Sequence, residues 1–298
     1  MASTKTQRHI TITRSKKMYK IFILVSVMLF QNLVFAEETI TWGVYEWPPM
    51  HITEGEHMNQ GLYDGILEFF SEKMPEYKHK RIIANAKRFW RWIQAGKQFC
   101  YVSSIPTEER LKYAYFSLPS GFHVANSVII LKERLEEFGQ SNVISLSELM
   151  QNRQLTGGAV DGRSYGKDID EVIAENTKYD NFATHTTGNL GQSVFSMLLY
   201  KRLDYIIEYP FVASYFEKVL NVGDQTVSLE IKESNPFGMG YTACPKNEWG
   251  RNVIDRINTI LKESRTTEEY RKILERWQSE KSKKLIRENY DIFLNTGN

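Results

Sequence analysis

The chain has 298 residues, of which 42% are hydrophobic and 25% charged, and its formal net charge at pH 7 is +2. This length is enough for one large or two smaller domains with a full hydrophobic core. The first 36 residues contain six basic residues and no acid, and the rest of the chain carries an excess of acidic residues. This charge balance does not favour binding to nucleic acid or to an anionic membrane surface.

The N-terminus has the pattern of a cleavable secretory signal peptide. Basic residues precede an apolar run at residues 21–30, and a short stretch ending at Ala36 resembles a cleavage site. A transmembrane anchor is the alternative, but polar residues interrupt the run, and about 20 apolar residues are needed to span a bilayer. We therefore predict a signal peptide at residues 1–36, starting at Met1 or Met18, and export to a periplasm.

The two cysteines, Cys100 and Cys244, bear on both anchoring and redox state. Neither stands directly after the predicted cleavage site, where a lipid anchor would be attached, so the exported chain is expected to carry no lipid anchor. Two cysteines in an oxidising compartment predict one disulfide, and two buried free thiols are the alternative.

After residue 36, short strand patterns alternate with amphipathic helices. Residues Thr39–Val44 alternate polar and apolar side chains, which predicts a strand, and Leu62–Met74 carries one apolar helical face. Further strands are predicted at 99–103, 124–131, 154–160, 182–185, 205–208 and 240–243, and further helices at 86–95, 167–175, 190–203, 210–220, 247–264 and 267–281. Ser145 and Thr266, each followed three residues later by Glu, are predicted N-caps. The alternation predicts an α/β protein with mostly parallel sheets, whose binding crevice lies beyond the carboxyl ends of the strands.

Candidate ligand-binding residues follow the first and third predicted strands. Trp47 stands before two prolines that stiffen its loop, so its ring is presented for stacking on a ligand; packing onto its own domain is the alternative. Ser103, Ser104 and Arg110 would together suit a carboxylate, because guanidinium can bind it through two hydrogen bonds. The alternative for Arg110 is pairing with a neighbouring glutamate or with solvent.

A second group of candidates follows predicted strands in the second half of the chain. Arg163 and Ser164 lie in a glycine-containing turn before a helix N-terminus, where an anion is favoured; an ordinary strand-to-helix turn is the alternative. Glu208 and Tyr209 lie at the end of another strand, and one or the other is expected to face the same crevice; an inert, exposed acid is the alternative.

Signatures of enzymes and metal sites are scarce. The sequence has no nucleophile elbow, phosphate-binding loop, dinucleotide fingerprint or zinc-protease motif. His51 and His57 are expected to be solvated side chains and not metal ligands. We therefore predict no metal, no cofactor and no catalytic residue.

Four stretches resemble bacterial extracellular solute-binding protein family 3, the amino-acid type of periplasmic binding protein, over about Ile40 to Trp277. They are Trp47-Pro48-Pro49-Met50, Gly61 with Asp64, Thr107-Glu108-Glu109-Arg110 continuing to Phe116-Ser117, and Leu203-Asp204. The arginine motif is the most specific of the four.

The resemblance implies a two-lobed periplasmic binding protein-like fold. Each lobe would be a mostly parallel sheet flanked by helices, and two hinge strands would join the lobes. Lobe 1 would comprise residues 37–122 and 233–284, lobe 2 residues 123–232, and a C-terminal tail residues 285–298. Cys100 and Cys244 would lie on neighbouring strands of lobe 1, which favours the disulfide.

The resemblance also implies roles for the candidate residues. Arg110 and Ser103 would hold a ligand carboxylate, Arg163 and Ser164 would add donors from lobe 2, and Trp47 would stack on the ligand.

The chain departs from the family pattern where amino-acid binders hold the ligand amine. The aspartate of that clamp is replaced by Tyr209, with Glu208 one residue before it. A second binding serine is replaced by Ile105, and a first-lobe acid by Phe99. An anionic or aromatic small molecule fits these residues better than a standard α-amino acid.

The implied function is that of a monomeric periplasmic solute-binding protein, which delivers a small polar, anionic or amino-acid-like ligand to the membrane permease of an ABC transporter. One alternative is a periplasmic dehydratase or lyase on the same scaffold, with Glu208 as the acid or base. Another is a ligand-sensing accessory protein for a membrane receptor.

Overall fold

The computed structural model describes residues 38–161, 163–176, 178–185 and 191–297. The predicted signal peptide lies outside the described residues. No helix within these ranges is long and apolar enough to cross a membrane.

Strands and helices alternate along the described chain. The strands are β1 (Thr39–Val44), β2 (Lys78–Ile83), β3 (Phe99–Ser104), β4 (Ala114–Val124), β5 (Ser127–Leu131), β6 (Val143–Ile144), β7 (Gly157–Val160), β8 (Phe182–His185), β9 (Tyr205–Glu208), β10 (Thr226–Ile231) and β11 (Phe237–Pro245). The helices are α1 (Leu62–Lys73), α2 (Ala86–Gln94), α3 (Leu146–Gln151), α4 (Lys167–Asn176), α5 (Gln192–Leu199), α6 (Pro210–Val219), α7 (Glu248–Ser264), α8 (Glu268–Leu274), α9 (Glu280–Glu288) and α10 (Tyr290–Asn295).

The strands form two sheets, one in each lobe. The lobe 1 sheet has the order β2-β1-β3-β11-β4, and the lobe 2 sheet has the order β6-β10-β5-β9-β7-β8. In lobe 1, β1 pairs in parallel with β2 and β3, while β11 runs antiparallel to β3 and β4. In lobe 2, β7 pairs in parallel with β8 and β9, while β5 runs antiparallel to β9 and β10. Each sheet therefore combines a parallel part with the antiparallel strands that enter and leave the lobe.

Two segments of chain connect the lobes. The chain leaves the lobe 1 sheet after Val124 and enters the lobe 2 sheet at Ser127, and it returns through β10 and β11. The two connections run side by side, because the backbone N–H of Ala125 donates to the carbonyl of Pro236 at 3.0 Å. The strand predicted at 124–131 is therefore wrong as one strand, since the chain passes from one sheet to the other within it.

The hydrophobic patterns read from the sequence correspond to buried faces. In β1, Ile40, Trp42 and Val44 are buried, which confirms the alternation. Helix α1 buries Leu62, Ile66 and neighbouring aromatic residues on one face, and it covers the same core. Folding removes these tryptophan and isoleucine side chains from solvent, and such burial is the main source of stability of the folded protein.

The closing helices differ from the prediction. The N-cap of α8 is Thr267 and not Thr266, because the Thr267 hydroxyl accepts a hydrogen bond from the backbone N–H of Tyr270. The helix predicted at 267–281 ends early, and Trp277 follows with a φ of 68°. A left-handed residue cannot continue a right-handed helix, so the chain starts again as α9.

The cysteines form the predicted disulfide. Cys100 in β3 and Cys244 in β11 are fully buried, and their sulfurs are bonded across 144 residues of sequence. For so long a loop the chain-entropy estimate of stabilisation is about 4–5 kcal/mol, as an upper figure. The bridge joins a parallel strand of lobe 1 to a strand that returns from lobe 2.

Candidate functional site

A row of aromatic rings extends along lobe 1 from the end of β1 to α2. The ring of Trp47 stacks on Tyr45 at 5.6 Å between centroids, Tyr45 lies 6.1 Å from Tyr101, and Tyr101 lies 6.3 Å from Trp90. We call these four rings the aromatic wall. One end of the wall is Trp47 and the other is Trp90.

Trp47 makes one of the contacts between the lobes; another is the ring of Trp277 in lobe 1 against that of Tyr215 in lobe 2, at 5.0 Å between centroids. Its backbone N–H and carbonyl bond those of His51, which holds the proline loop as a tight turn. Its ring lies 6.1 Å from the ring of Tyr209 and 4.9 Å from the guanidinium carbon of Arg163, both in lobe 2. Trp47 therefore does not pack solely onto its own lobe.

Arg163 is buried at the Trp47 end of the wall with its charge compensated. Its Nη1 donates to Glu208 Oε2 at 2.6 Å, and its Nη2 donates to Asn126 Oδ1 at 2.9 Å. The rings of Tyr165 and Tyr209 lie 4.5 and 5.0 Å from the guanidinium carbon. Burial alone would lower the pKa of Arg163, but the Glu208 carboxylate and these tyrosines raise it overall, so the side chain stays protonated.

Each carboxylate oxygen of Glu208 accepts a hydrogen bond from a described residue. Its Oε1 accepts the backbone N–H of Tyr209 at 2.8 Å, and its Oε2 accepts the Arg163 bond. The side chain is buried, so the ion pair is shielded from solvent. An acid or base role for Glu208 would require this pair to open.

Arg110 lies at the other end of the wall without an acidic partner. Its guanidinium carbon is 4.1 Å from the centroid of the Trp90 ring, and its Nη1 donates to the carbonyl of Ile105 at 2.8 Å. The backbone N–H of Arg110 donates to the Thr107 hydroxyl at 3.3 Å. Within the described part of the chain no acidic side chain forms a salt bridge with Arg110, although the charge of Glu109 acts on it. Burial lowers its pKa, and Tyr113, Tyr101 and the carboxylate of Glu109 oppose that shift.

The three predicted serines differ in what their hydroxyls contact. Ser103 lies beside Tyr101, and hydrogen bonding between them acts to lower the tyrosine pKa, which burial raises. Ser104 donates to a backbone carbonyl of β11 at 2.7 Å, and Ser164 donates to Asp170 at 2.5 Å. Ser103 therefore lies at the wall, whereas the hydroxyls of Ser104 and Ser164 are engaged within the protein. Ligand binding by these serines stays a prediction.

Several residues of the site were not identified from the sequence. Tyr101 stands two positions before Ser103 on β3, and the period of two along a strand places both on one face, so this signal was available. Asn126 and His123 belong to the lobe connection, and no sequence pattern marks them. The His123 ring lies 4.8 Å from that of Tyr209, and its pKa is lowered to about 4, chiefly by burial, so it is neutral at pH 7.

The two histidines of the proline loop differ from the expectation of solvated side chains. His51 is fully buried, and its Nδ1 lies 2.9 Å from Asp64 Oδ1. Asp64 also accepts the backbone N–H groups of Ile52 and Gly61, so it organises the loop after Trp47. His57 is half-buried. The described residues contain no group of three or more His, Cys, Asp or Glu side chains that could hold a metal ion.

Two buried donors at the lobe contact have no hydrogen-bond partner. They are Trp47 Nε1 in lobe 1 and Arg163 Nε in lobe 2, and neither is bonded by any residue that the structure describes. An unsatisfied buried donor costs about 1–3 kcal/mol, so an acceptor that reached these two donors would bind favourably.

Comparison with known proteins identifies the architecture. No family model and no curated protein sequence matches the chain. Among solved structures, the substrate-binding protein of an amino acid ABC transporter is 19% identical with a TM-score of 0.57, covering 80% of this chain and 98% of its own. A periplasmic binding protein of a third arginine transport system from Legionella pneumophila is 18% identical with a TM-score of 0.56, covering 80% and 99%. An ancestral amino-acid-binding protein, described as a precursor of cyclohexadienyl dehydratase, is 15% identical with a TM-score of 0.58, covering 82% and 96%. The fold of this chain is therefore the two-lobed periplasmic binding protein fold.

Proposed function

We propose that the protein is a periplasmic solute-binding protein, which captures a small polar, anionic or amino-acid-like ligand between its lobes and delivers it to the permease of an ABC transporter. The observation that carries this proposal is the contact of Trp47 in lobe 1 with Arg163 and Tyr209 in lobe 2. Candidate ligand-binding residues from both lobes meet at that contact, and amino-acid transport proteins share the fold.

The arrangement suits binding by hinge closure. Each lobe carries half of the candidate site, and two chain segments connect the halves. A ligand that touches both halves binds the closed state better than the open one, and this differential affinity drives closure. No covalent chemistry is required.

Arg110 is the candidate anchor for a ligand carboxylate. It is half-buried, carries a positive charge without an acidic partner among the described residues, and has Ser103 on the strand before it. Guanidinium binds carboxylate through two parallel hydrogen bonds, and the half-buried position strengthens the attraction.

Replacing this anchor gives the first test of the proposal. In Arg110→Ala we expect ligand binding to weaken by about 3–5 kcal/mol, as when one partner of a buried ion pair is removed. Arg88→Ala is a matched control, because Arg88 also stacks on a tryptophan, with its guanidinium carbon 5.8 Å from the Trp92 ring centroid. Isothermal titration calorimetry of both variants measures the difference. Unchanged binding in Arg110→Ala would remove Arg110 from the site.

The ligand for that titration is first identified by thermal-shift screening of the purified protein. The panel comprises amino acids, short peptides, organic acids and sugar acids. A ligand present at one hundred times its Kd adds about 2.7 kcal/mol to the free energy of unfolding and raises the melting temperature visibly. No shift with any compound of the panel would contradict the proposal.

Transport and location are tested in cells. If the protein serves an ABC transporter, deleting its gene abolishes uptake of the identified ligand, whereas an accessory protein of a receptor would leave uptake intact. Fractionation should recover the protein from the periplasm with its disulfide formed, since that compartment permits the bond.

An enzyme on the same scaffold is the second candidate function. The observation that favours it is the similarity to the ancestral precursor of a dehydratase. Against it, both carboxylate oxygens of Glu208 are already engaged within the protein. Incubating the protein with its identified ligand and following the ligand by NMR distinguishes the two, because a binding protein returns it unchanged.

A further inference from the structure

Both ends of the aromatic wall carry hydrogen-bond donors that have either no acidic partner or no acceptor among the described residues. At one end Arg110 presents a guanidinium without an acidic partner among the described residues. At the other end lie Trp47 Nε1 and Arg163 Nε, two buried N–H donors to which the described residues offer no acceptor. Both ends of the wall therefore carry hydrogen-bond donors.

The acceptors near the Trp47 end are occupied. One carboxylate oxygen of Glu208 accepts a hydrogen bond from Arg163, and the other accepts one from the backbone N–H of Tyr209. The oxygen of the Asn126 side chain accepts from Arg163, and its nitrogen donates to the carbonyl of Tyr165. Among the described residues, an ammonium group placed here would have to share the Glu208 carboxylate with the positively charged Arg163, which disfavours it.

The wall between the two ends is aromatic. Tyr45 connects the ends, because it stacks on Trp47, contacts Tyr101, and interacts electrostatically with both Arg110 and Arg163. Flat rings suit the methylene or aromatic body of a ligand, whose polar groups would then be directed to the two ends.

We propose that the ligand carries a hydrogen-bond acceptor at each end and no ammonium group: a carboxylate bound by Arg110, and a second carboxylate or carbonyl oxygen shared by Trp47 Nε1 and Arg163 Nε. The chemical class is a small dicarboxylic or oxo-carboxylic acid. The inference rests on the proposed binding function and narrows its ligand. The second acceptor joins a donor of lobe 1 to a donor of lobe 2, so it also holds the lobes together.

Matched ligand pairs test the polarity of the second end. Unbranched dicarboxylates from succinate to suberate are titrated against the omega-amino acid of the same carbon number, and terephthalate is titrated against para-aminomethylbenzoate. The two members of each pair differ only at the second end, which is a carboxylate in one and an ammonium group in the other. At the best length we expect the dicarboxylate to bind at least about tenfold more tightly, since a charge-assisted hydrogen bond replaces an unpaired ammonium. Terephthalamate tests whether an uncharged carbonyl oxygen is accepted as well.

A conservative variant tests the shared donor. Trp47→Phe keeps a ring over Arg163 but removes the Nε1 donor, and we expect it to weaken dicarboxylate binding about 3- to 10-fold. Trp249→Phe is the matched control, because Trp249 Nε1 is also a buried donor that no described residue bonds, and Trp249 lies on α7. That control should leave affinity unchanged, and melting temperatures confirm that both variants fold.

The outcomes separate this inference from the function on which it rests. Omega-amino acids or α-amino acids that bind as tightly as the dicarboxylates would overturn the inference and leave the solute-binding function standing. Equal loss of affinity in both tryptophan variants, or no loss in Trp47→Phe, would contradict the inference that Trp47 Nε1 donates to the ligand. An absence of binding to these probes and to the whole screening panel would overturn both.

Discussion

His123 is a buried base whose neighbours keep it uncharged. Its Nδ1 bonds the carbonyl of Val124, while its ring packs against Tyr209 and Phe211. Burial first, and the positive charge of Arg163 in addition, disfavour the protonated form, against the raising effect of the carbonyl. A histidine at the lobe connection thus has no charge to disturb the Arg163 pair at neutral pH.

This shift predicts how stability depends on pH. The folded pKa of His123 is about 4, below the ordinary histidine value of 6.5, so the unfolded chain binds the proton more readily. Above pH 6.5 His123 is neutral in both the folded and the unfolded chain, and the protein keeps its full stability. As the pH falls toward 4, protonation of His123 in the unfolded chain lowers the free energy of unfolding, by about 3 kcal/mol in total.

Urea denaturation of the wild type and of His123→Gln between pH 7 and pH 4 measures this contribution. Carboxylates titrate in both proteins, so the difference between the two curves of unfolding free energy against pH gives the contribution of the histidine. The wild type should lose more stability than the variant as the pH falls. Parallel curves would contradict the assignment.

Arg163 shows how a side chain's role depends on its partners. The sequence places it in a turn where it would donate to an anion, yet its two terminal nitrogens bond Glu208 and Asn126. The nitrogen that remains is Nε. Whether it serves a ligand is decided by the binding experiments above.

At the scale of elements, the two C-terminal helices α9 and α10 pack against the lobe connections. In α10, the ring of Phe293 is fully buried and stacks on Phe122 of β4 at 5.5 Å, and Phe122 stacks on Phe237 of β11 at 5.0 Å. Arg265, at the end of α7, donates to the carbonyl of Phe293. The predicted tail thus contributes an aromatic ring to the place where both connecting strands leave lobe 1.

Removing that ring should destabilise the protein. We expect Phe293→Ala to lower the free energy of unfolding by about 3–5 kcal/mol, because it leaves a cavity beside Phe122. Ile292 is 45% exposed in the same helix, and Ile292→Ala should change stability by less than about 0.5 kcal/mol. Urea denaturation measures both. Equal effects would show that α10 contributes through helix formation and not through the buried ring.

At the scale of the whole molecule, the lobes meet at the candidate site and also where Trp277 of lobe 1 contacts Tyr215 and Lys218 of lobe 2. Trp47 supplies an aromatic contact with Tyr209 and a cation–π contact with Arg163. Together such contacts contribute about 2 kcal/mol to the closed arrangement. This amount is small enough for a ligand to shift the balance between open and closed states.

Trp47→Ala should therefore favour the open state by about 2 kcal/mol. We expect a larger radius of gyration for the ligand-free variant than for the wild type, measured by small-angle X-ray scattering. Trp249→Ala is the control, since Trp249 lies outside the lobe contact, and its radius of gyration should equal that of the wild type. A Trp47→Ala curve identical to the wild-type curve would show that other contacts set the lobe arrangement.

Local pattern was enough to predict much of the architecture. The alternation in Thr39–Val44 and the helical face of Leu62–Met74 follow from periods of 2 and 3.6 residues, which depend on near neighbours in sequence, and both are confirmed. The fold class and the pairing of Cys100 with Cys244 are confirmed as well, the pairing because the chain offers no other cysteine.

What the sequence by itself determined is therefore many of the elements (though not β2 and β10), the fold class and a list of polar residues at strand ends. The tertiary structure decided which of these residues have partners: Arg163 is paired with Glu208 across 45 residues, Ser104 bonds a neighbouring strand, and Arg110 has no acid among the described residues. It also brought Trp47 onto lobe 2. Such pairings join positions far apart in the chain, and their free energies depend on burial and distance, which no local pattern specifies.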